Sequence, residues 1–570
     1  MDMINYREEI AKILDEIIEG LSKEEIFEML EVPANEEMGD FALPCFKLAK
    51  VMRKAPPLIA KGIAEKLSEH KMFEKVEQVN AYVNMFLSKE DLLSHVVGEI
   101  IEAGADFANS NEGNGKTVIV EFSSPNIAKP FHIGHIRSTV IGNSINLIYK
   151  ALGYDVVRIN HLGDYGTQFG KMIVAYRHWG NEEEVKAQPI QTLLHYYTKF
   201  HEEAENDPSL DDEARATFTK LEHGEEEEVK LWQWFRDESL KEFNRVYNML
   251  GIEFDSYKGE SFYSDKMPRF VEMLKEKGLL EESQGANIVN LEDKGLGVAL
   301  ITKSDGSTLY ITRDIAAAVY RKETYDFYKN IYVVASQQNL HFQQWIEIIE
   351  MLGYEWARSC VHVPFGLVSL EDGTMSTREG RVVFLEDVLN KSIEKTKEII
   401  MEKNPEGLDI DKIAKDVGIG AVIFQELSNN RIKDYVFSWD KVLNFDGETG
   451  PYVQYTHARA CSLLRRGEVG DGYFVDVDYS KLTGDAAFRL AKLLYQFPDI
   501  VKDAGAKYEP SIVTRHIVNI AQAFNRFYHD EHILVDDEAE KKAKLALVYA
   551  TKESIAKGLS LLGIVAPEKM

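Results

Sequence analysis

Glu121-Phe122-Ser123-Ser124-Pro125-Asn126-Ile127-Ala128-Lys129-Pro130-Phe131-His132-Ile133-Gly134-His135 decides how this chain is read. An apolar run from Lys116 to Phe122, with Val118-Ile119-Val120 at its centre, enters the stretch and suits a buried parallel strand. An amphipathic segment from His135 to about Leu152 leaves it, and a strand at Val156 to Ile159 follows. Strand, helix and strand in this order open a right-handed βαβ unit. In an open α/β sheet, ligands bind at the carboxyl ends of the strands and against helix N-termini. His132-Ile133-Gly134-His135 falls at such a place. Gly134 has no Cβ, so a flat base can approach its backbone. His132 and His135 are three apart, hence on one helix face, and both can donate to phosphate oxygens. Lys129, just upstream, can reach a triphosphate as a flexible point charge. The plainer alternative is two partly exposed histidines at a helix start beside a loop lysine.

A second polar element lies far downstream, in Gly373-Thr374-Met375-Ser376-Thr377-Arg378-Glu379-Gly380, after a strand expected over His362 to Leu370. Glycines flank it. Such a loop can close over a nucleotide, with Ser376 and Arg378 contacting adenine or phosphates; taken alone it is an ordinary hairpin loop. The two elements together point to an enzyme that activates a carboxylic acid with ATP.

At 570 residues the chain exceeds one ordinary domain. Its hydrophobic fraction of 45% supplies ample core. Cys45, Cys360 and Cys461 lie far apart, which excludes a disulfide framework and a cysteine zinc site and fits a reducing, cytoplasmic setting. No apolar run approaches the roughly 18 residues of a membrane span. The first residues, Met1 to Glu9, carry early acids and no apolar core, so no secretion or transit signal is expected there. The net charge of −28 argues against a nucleic-acid partner. Part of the excess is local, in Glu202 to Glu213 and Glu225 to Glu228, and reads as solvated helix faces.

The expected architecture is multidomain. Residues 1–110 read as an α+β unit, with helices at Tyr6 to Leu21, Leu58 to Leu67 and Lys89 to Ala103. Gly39 to Pro44 reads as a turn into a further helix, and Val76 to Leu87 as strand-like. Residues 111–390 read as a Rossmann-like α/β domain around a parallel sheet. A polar helical insertion at about 181–250 interrupts it; the α/β pattern resumes at Val298 to Ile301, with a strand at Ile331 to Val334. Residues 391–570 read as an all-α bundle, with helices at Tyr455 to Arg466, Ala486 to Tyr495, Ser511 to Tyr528 and Ala539 to Leu562.

The stretch from Glu121 through Thr139 resembles, over its whole length, the signature of the arginyl-tRNA synthetases, a family of class I aminoacyl-tRNA synthetases. Gly163-Asp164-Tyr165-Gly166-Thr167-Gln168, Tyr310-Ile311-Thr312-Arg313-Asp314, Met375-Ser376-Thr377-Arg378 and Asn525-Arg526-Phe527-Tyr528 match in the same order along nearly the full chain. The resemblance implies ATP as substrate, with Mg2+ carried on its phosphates, and arginine and tRNA(Arg) as partners. It implies ATP binding by His132, Gly134, His135, Met375 and Ser376, and catalytic support from Lys129 and Arg378. It implies an arginine site of Glu121, Ser123, Asn126, Tyr310, Asp314 and Gln338, the last chosen over Gln337 by spacing. Thr377 stands where many class I enzymes carry a lysine, and Lys129 is expected to compensate.

Independently of the resemblance, a guanidinium is a planar fork that pairs best with carboxylates, and Asp314 and Glu121 both fall near strand ends. Asp314 is expected to take the guanidinium with Tyr310 packed beside it, while Glu121 and Asn126 hold the substrate's other polar groups. An internal ion pair of Asp314 with Arg313 is the alternative. Lysine is rejected because a point charge leaves fork-shaped acceptors poorly paired.

The resemblance also implies that the first domain meets the tRNA D-loop through Tyr82 and Asn84; strand packing is the competing reading. Tyr452, Tyr455 and Arg459, with the C-terminal Met570, are implied as anticodon contacts, since aromatic and cationic side chains on a helix start suit flipped bases. A cytoplasmic monomer, no resident metal and adenylate formation that waits for tRNA complete the expectation. A small-molecule ligase sharing the histidine turn, or a non-catalytic RNA-binding relative, are the rival readings.

Overall fold

The structure is a computed structural model and describes residues 4–302, 310–370, 383–402, 409–442 and 447–570. Its centre is a four-stranded parallel sheet in the order Cys360–Phe365, Lys329–Ala335, Thr117–Glu121, Asp155–Ile159. The strand Thr117–Glu121 therefore has its chain successor on one side and a later strand on the other. That makes its carboxyl end the topological switch point, where the two crossovers leave a crevice. Val118 and Val120 face one core and Ile119 the other, as the period of two requires.

The helix Ile136–Ala151, here called the signature helix, starts at this crevice. The sequence suggests an amphipathic helix, but nearly every residue is buried, including Arg137, Ser138, Thr139 and Asn143. The polar residues that looked like a wet face instead bond inward. Ser144 donates to the carbonyl of Leu561 and Tyr149 to that of Gly505. The helix is thus sandwiched between the sheet and the C-terminal bundle, and a periodicity rule that assumes solvent on one side misreads it.

The first unit holds helices Tyr6–Ile17, Lys23–Met29, Pro56–Leu67 and Lys89–Ala103 around an antiparallel sheet. Two expectations are corrected here. Phe41–Pro44 is a strand paired with Tyr82–Leu87 rather than a turn, with the expected helix following at Leu48–Met52, and the long strand-like run is a hairpin of Phe73–Val79 and Tyr82–Leu87. Asn80, at φ 54, makes the tight turn that a periodicity count cannot see. The Lys23–Met29 helix, missed in the sequence, carries a Ser22–Glu25 capping box.

The acidic insertion forms helices Glu182–Ala187, Pro189–Asn206, Ser209–Glu222 and Glu226–Leu250. The strand Val298–Thr302 does not return to the parallel sheet; it closes a separate antiparallel sheet with Glu281–Ser283 and Ala286–Asn290. A short apolar run carries no information about which sheet it joins. In the C-terminal bundle the helix expected to end at Tyr495 runs from Asp485 to Lys507 through Pro498, because Phe497, Val501 and Ala504 are buried and packing overrides the proline. Cys45, Cys360 and Cys461 are all buried, and burial pushes their thiols up to about 12, 12 and 11. Among the described residues no helix is long and apolar enough to cross a membrane.

Candidate active site and RNA-facing surface

The chain leaves Glu121 through a loop with three positive-φ residues, Ser123, Ser124 and Ala128, at 69°, 45° and 58°. Such backbone costs about 1–3 kcal/mol per residue and persists only when its surroundings enforce it. The enforcing contacts are visible. Ser138 Oγ accepts from the Ser123 amide at 2.9 Å, and Ser239 Oγ accepts from the Ala128 amide at 3.0 Å. Ser123 Oγ bonds both Thr139 Oγ1 and the Tyr247 hydroxyl, each at 2.8 Å. Ser123 is 6% exposed, so the hydroxyl expected to meet arginine is committed to holding the loop. Gly163 closes on the same loop: a Cβ there would lie 2.0 Å from Asn126 Oδ1.

His132 and His135 do not simply stand on one helix face. They cap each other across the turn Ile133–His135: the Gly134 amide donates to His132 Nδ1 and the His132 amide to His135 Nδ1, both at 3.1 Å. With both Nδ1 atoms accepting, each neutral ring carries its hydrogen on Nε2. Burial lowers the pKa of His132 to about 4 and holds that of His135 well below its ordinary value. The pair is therefore two fixed neutral donors, with ring centroids 4.0 Å apart and Phe131 stacked on His135 at 5.1 Å.

Four carboxylates surround the crevice. Glu121 is 6% exposed and faces the fully buried Arg321 at 2.6 Å. Asp164, 1% exposed, takes Arg236 at 3.2 Å and the amide and hydroxyl of Ser261 at 2.8 and 3.0 Å. Glu260 lies 3.2 Å from Arg313, yet burial pushes its carboxyl up to about 7. Asp314, with a side chain 31% exposed, meets His341 Nε2 at 2.5 Å. Arg313 thus pairs with Glu260, not with its neighbour Asp314. Tyr310 is 66% exposed, one turn before Asp314 on the helix Tyr310–Tyr325. Gln337 and Gln338 are both exposed in the turn that follows the strand Lys329–Ala335.

The carboxyl-end crevice therefore collects Glu121, Asn126, His132, His135 and the Ser336–Gln338 turn, with Tyr310 and Asp314 on the adjoining helix. Met375, Ser376, Thr377 and Arg378 lie outside the described residues. Arg321, Glu260 and His341 are the residues the sequence reading missed. Arg321 was recoverable: it lies seven residues beyond Asp314, two turns on along the same helix face. Among the described residues no group of three or more His, Cys, Asp or Glu is arranged to hold a metal ion.

The RNA-facing expectations divide. Asn84 is 2% exposed on the central strand of the first sheet. Tyr82 is half-buried, with the exposed Phe46 ring edge-on at 5.6 Å. In the bundle, Arg459 donates to Asn525 Oδ1 at 2.6 Å and lies 5.0 Å from the rings of both Tyr455 and Tyr528, which are 45% and 39% exposed. Asn525 also donates to the Tyr452 hydroxyl at 2.9 Å. Met570 ends the segment that binds back on this helix, where Val565 and Pro567 carbonyls meet Gln454 and His457.

Comparison with known proteins identifies the family. The family described as tRNA synthetases class I (R), catalytic domain, matches residues 97–439. The DALR anticodon binding domain matches 453–570, and the arginyl tRNA synthetase N terminal domain matches 5–87. The arginine–tRNA ligases of Halothermothrix orenii and Clostridioides difficile are each 59% identical, over 100% of both chains. The arginyl-tRNA synthetase structure from Plasmodium falciparum superposes with a TM-score of 0.79 at 26% identity, covering 100% of both chains. That from Thermus thermophilus has a TM-score of 0.80 at 24% identity over 99% of each, a likeness of fold. The strained loop, the mutually capped histidines and the carboxylate-lined crevice are thus carried by a chain that belongs to the arginyl-tRNA synthetases of class I.

Proposed function

We propose that the chain is an arginine–tRNA ligase that converts arginine and ATP to arginyl-adenylate and pyrophosphate, then passes the arginyl group to the terminal adenosine of tRNA(Arg). One observation carries the choice of amino acid. Three of the four crevice carboxylates face an arginine of the chain, whereas Asp314, partly exposed, meets an imidazole. A substrate guanidinium is drawn to the carboxylate whose charge is least neutralised. Tyr310 packs beside the substrate side chain, and Glu121, Asn126 and one of Gln337 or Gln338 hold its remaining polar groups. Ser123 positions the loop.

The first step is in-line attack of the arginine carboxylate on the α-phosphate. A carboxylate is already a nucleophile, so no general base is assigned. Catalysis comes from placement and from the Nε2–H donors of His132 and His135 aimed at the charge that develops on phosphate. Lys129, Met375, Ser376 and Arg378 complete the nucleotide contacts in this reading, and magnesium rides on the phosphates. Tyr82 serves the D-loop, and Tyr452, Tyr455, Arg459 and Met570 the anticodon. The division at 1–110, 111–390 and 391–570 assigns D-loop binding, chemistry and anticodon binding in turn, in a cytoplasmic monomer. Transfer of radiolabelled arginine to tRNA tests the function; no esterified tRNA with ATP and magnesium supplied rejects it. Pyrophosphate exchange without tRNA tests the coupling: brisk exchange rejects it.

A further inference from the structure

We propose that Arg137, with Glu426 and Tyr435, is a positioning device that locks the histidine turn to the helical stem and to the strand pair leading into residues 371–382. The proposal rests on the functional reading above and concerns how that site is held.

Arg137 is fully buried, two residues past His135. Its Nε lies 2.5 Å from Oε1 of Glu426, in the last turn of the stem helix Ile410–Leu427. Its Nη1 donates to the carbonyls of Gly366 and Lys433, both at 2.8 Å. The Tyr435 hydroxyl donates to the other oxygen of Glu426 at 2.6 Å, and its ring sits 5.2 Å from the guanidinium. Arg137 Nη2 is buried with no hydrogen-bond partner among the described residues. A buried ion pair with an orphaned donor is a poor way to gain stability, since apolar side chains of similar volume often serve as well or better. What this fork supplies is direction: three acceptors from three separate segments, Glu426, the Gly366 carbonyl and the Lys433 carbonyl, are held by one planar guanidinium.

Those segments frame the site. Val368–Ser369 pairs in parallel with Tyr435–Val436, and residues 371–382 follow directly. At Gly366 a Cβ would lie 2.5 Å from the Lys433 carbonyl carbon, so the two backbones touch. On the far side of 371–382, the Ile133 amide donates to the Val383 carbonyl at 2.9 Å and the Leu385 amide to Phe131 at 3.0 Å. Both flanks are thereby tied to the histidine turn, one through its backbone and one through Arg137. The same arginine reaches the stem that continues toward the RNA-facing bundle. None of the three side chains approaches the carboxylates that read arginine.

The test uses full-length Y435F, E426Q and R137K, with melting temperature, charging kcat and the KM values for ATP, arginine and tRNA measured for each. Y435F keeps the ring and both charges and decides the matter if the other two do not fold. A small displacement of reacting groups costs far more in rate than in binding, so folded variants should lose about tenfold or more in kcat with arginine and tRNA KM within roughly twofold of wild type. R137K, which keeps the charge and loses the fork, should not rescue. A kcat per folded molecule within about twofold of wild type in Y435F and E426Q overturns the proposal and leaves a purely structural pair. A wild-type chain that charges no tRNA would instead reject the underlying function, so the two failures are distinct.

Discussion

His341 Nε2 lies 2.5 Å from Asp314 Oδ2, while Arg313, next in the chain to Asp314, turns away to Glu260 at 3.2 Å. The guanidinium that would otherwise have satisfied Asp314 internally is thus held elsewhere, and one carboxylate is left with a partner that does not permanently neutralise it. The selectivity proposed for the crevice rests on this division of partners.

Replacing that carboxylate should damage arginine capture before anything else. D314N keeps the shape and removes the charge. Losing a hydrogen bond to a charged group costs about 1.5–3 kcal/mol, so the KM for arginine should rise roughly 10- to 150-fold with ATP KM little changed. Steady-state charging kinetics check this, and an unchanged arginine KM removes Asp314 from the pocket.

Glu260 should make arginine recognition sensitive to pH. Burial pushes its carboxyl up to about 7, with Arg313 pulling down and Asp314 and Asp164 pushing further up. As pH falls through 7 the group takes a proton, its negative charge disappears, and Arg313 is left uncompensated beside Asp314. Both changes repel a cationic substrate, so arginine KM should climb as pH drops from 8 to 6. In E260Q that slope should flatten; an equal slope in both proteins would assign the titration to another group.

Stability of the catalytic core should depend on the pair Glu121–Arg321. Arg321 is fully buried and faces Glu121 at 2.6 Å. R321M leaves a buried carboxylate without its partner, which costs about 3–5 kcal/mol. The double variant E121Q/R321M should melt above R321M, because it removes both charges. Thermal melts of the three proteins decide it, and a double variant no better than the single one would contradict the pairing.

The exposed aromatic pair around Arg459 should act on RNA alone. Stacking on an aromatic ring is worth about 1–3 kcal/mol per base, so Y455A should raise tRNA KM roughly 5- to 150-fold. R459A should do likewise and should also weaken the salt dependence of tRNA binding if the guanidinium neutralises a phosphate. Filter binding at several salt concentrations is the measurement. Pyrophosphate exchange at saturating tRNA should be near wild type.

The parts of the molecule that were legible in the sequence are those whose signal is local. The strand before Glu121, the turn at His132 to His135 and the long C-terminal helices announce themselves by composition and period. What escaped depends on partners distant in the chain. Nothing near Phe41–Pro44 says that it pairs with Tyr82–Leu87, and nothing in Val298–Thr302 says which sheet it completes. Ser123 looked like a substrate contact because its hydroxyl is chemically suitable; Thr139 and Tyr247 claim that hydroxyl only once the loop is folded. The pairing of Glu121 with Arg321 spans two hundred residues of sequence, and the burial of Asn84 follows from its place on a central strand. The acidic total misleads for a related reason: a sum over the chain has no position, whereas Arg459, Tyr455 and Tyr528 meet at one spot.

The three sequestered cysteines have a practical consequence for watching this molecule at work. Because Cys45, Cys360 and Cys461 are all shielded and hard to ionise, alkylating dyes should leave the native chain unmodified. Two thiols introduced at outward positions such as Leu340 and Leu58 would then be the only addresses for a fluorophore pair, with no need for a cysteine-free background. Spectroscopic distances between catalytic crevice and N-terminal domain thereby become measurable on an otherwise unaltered protein.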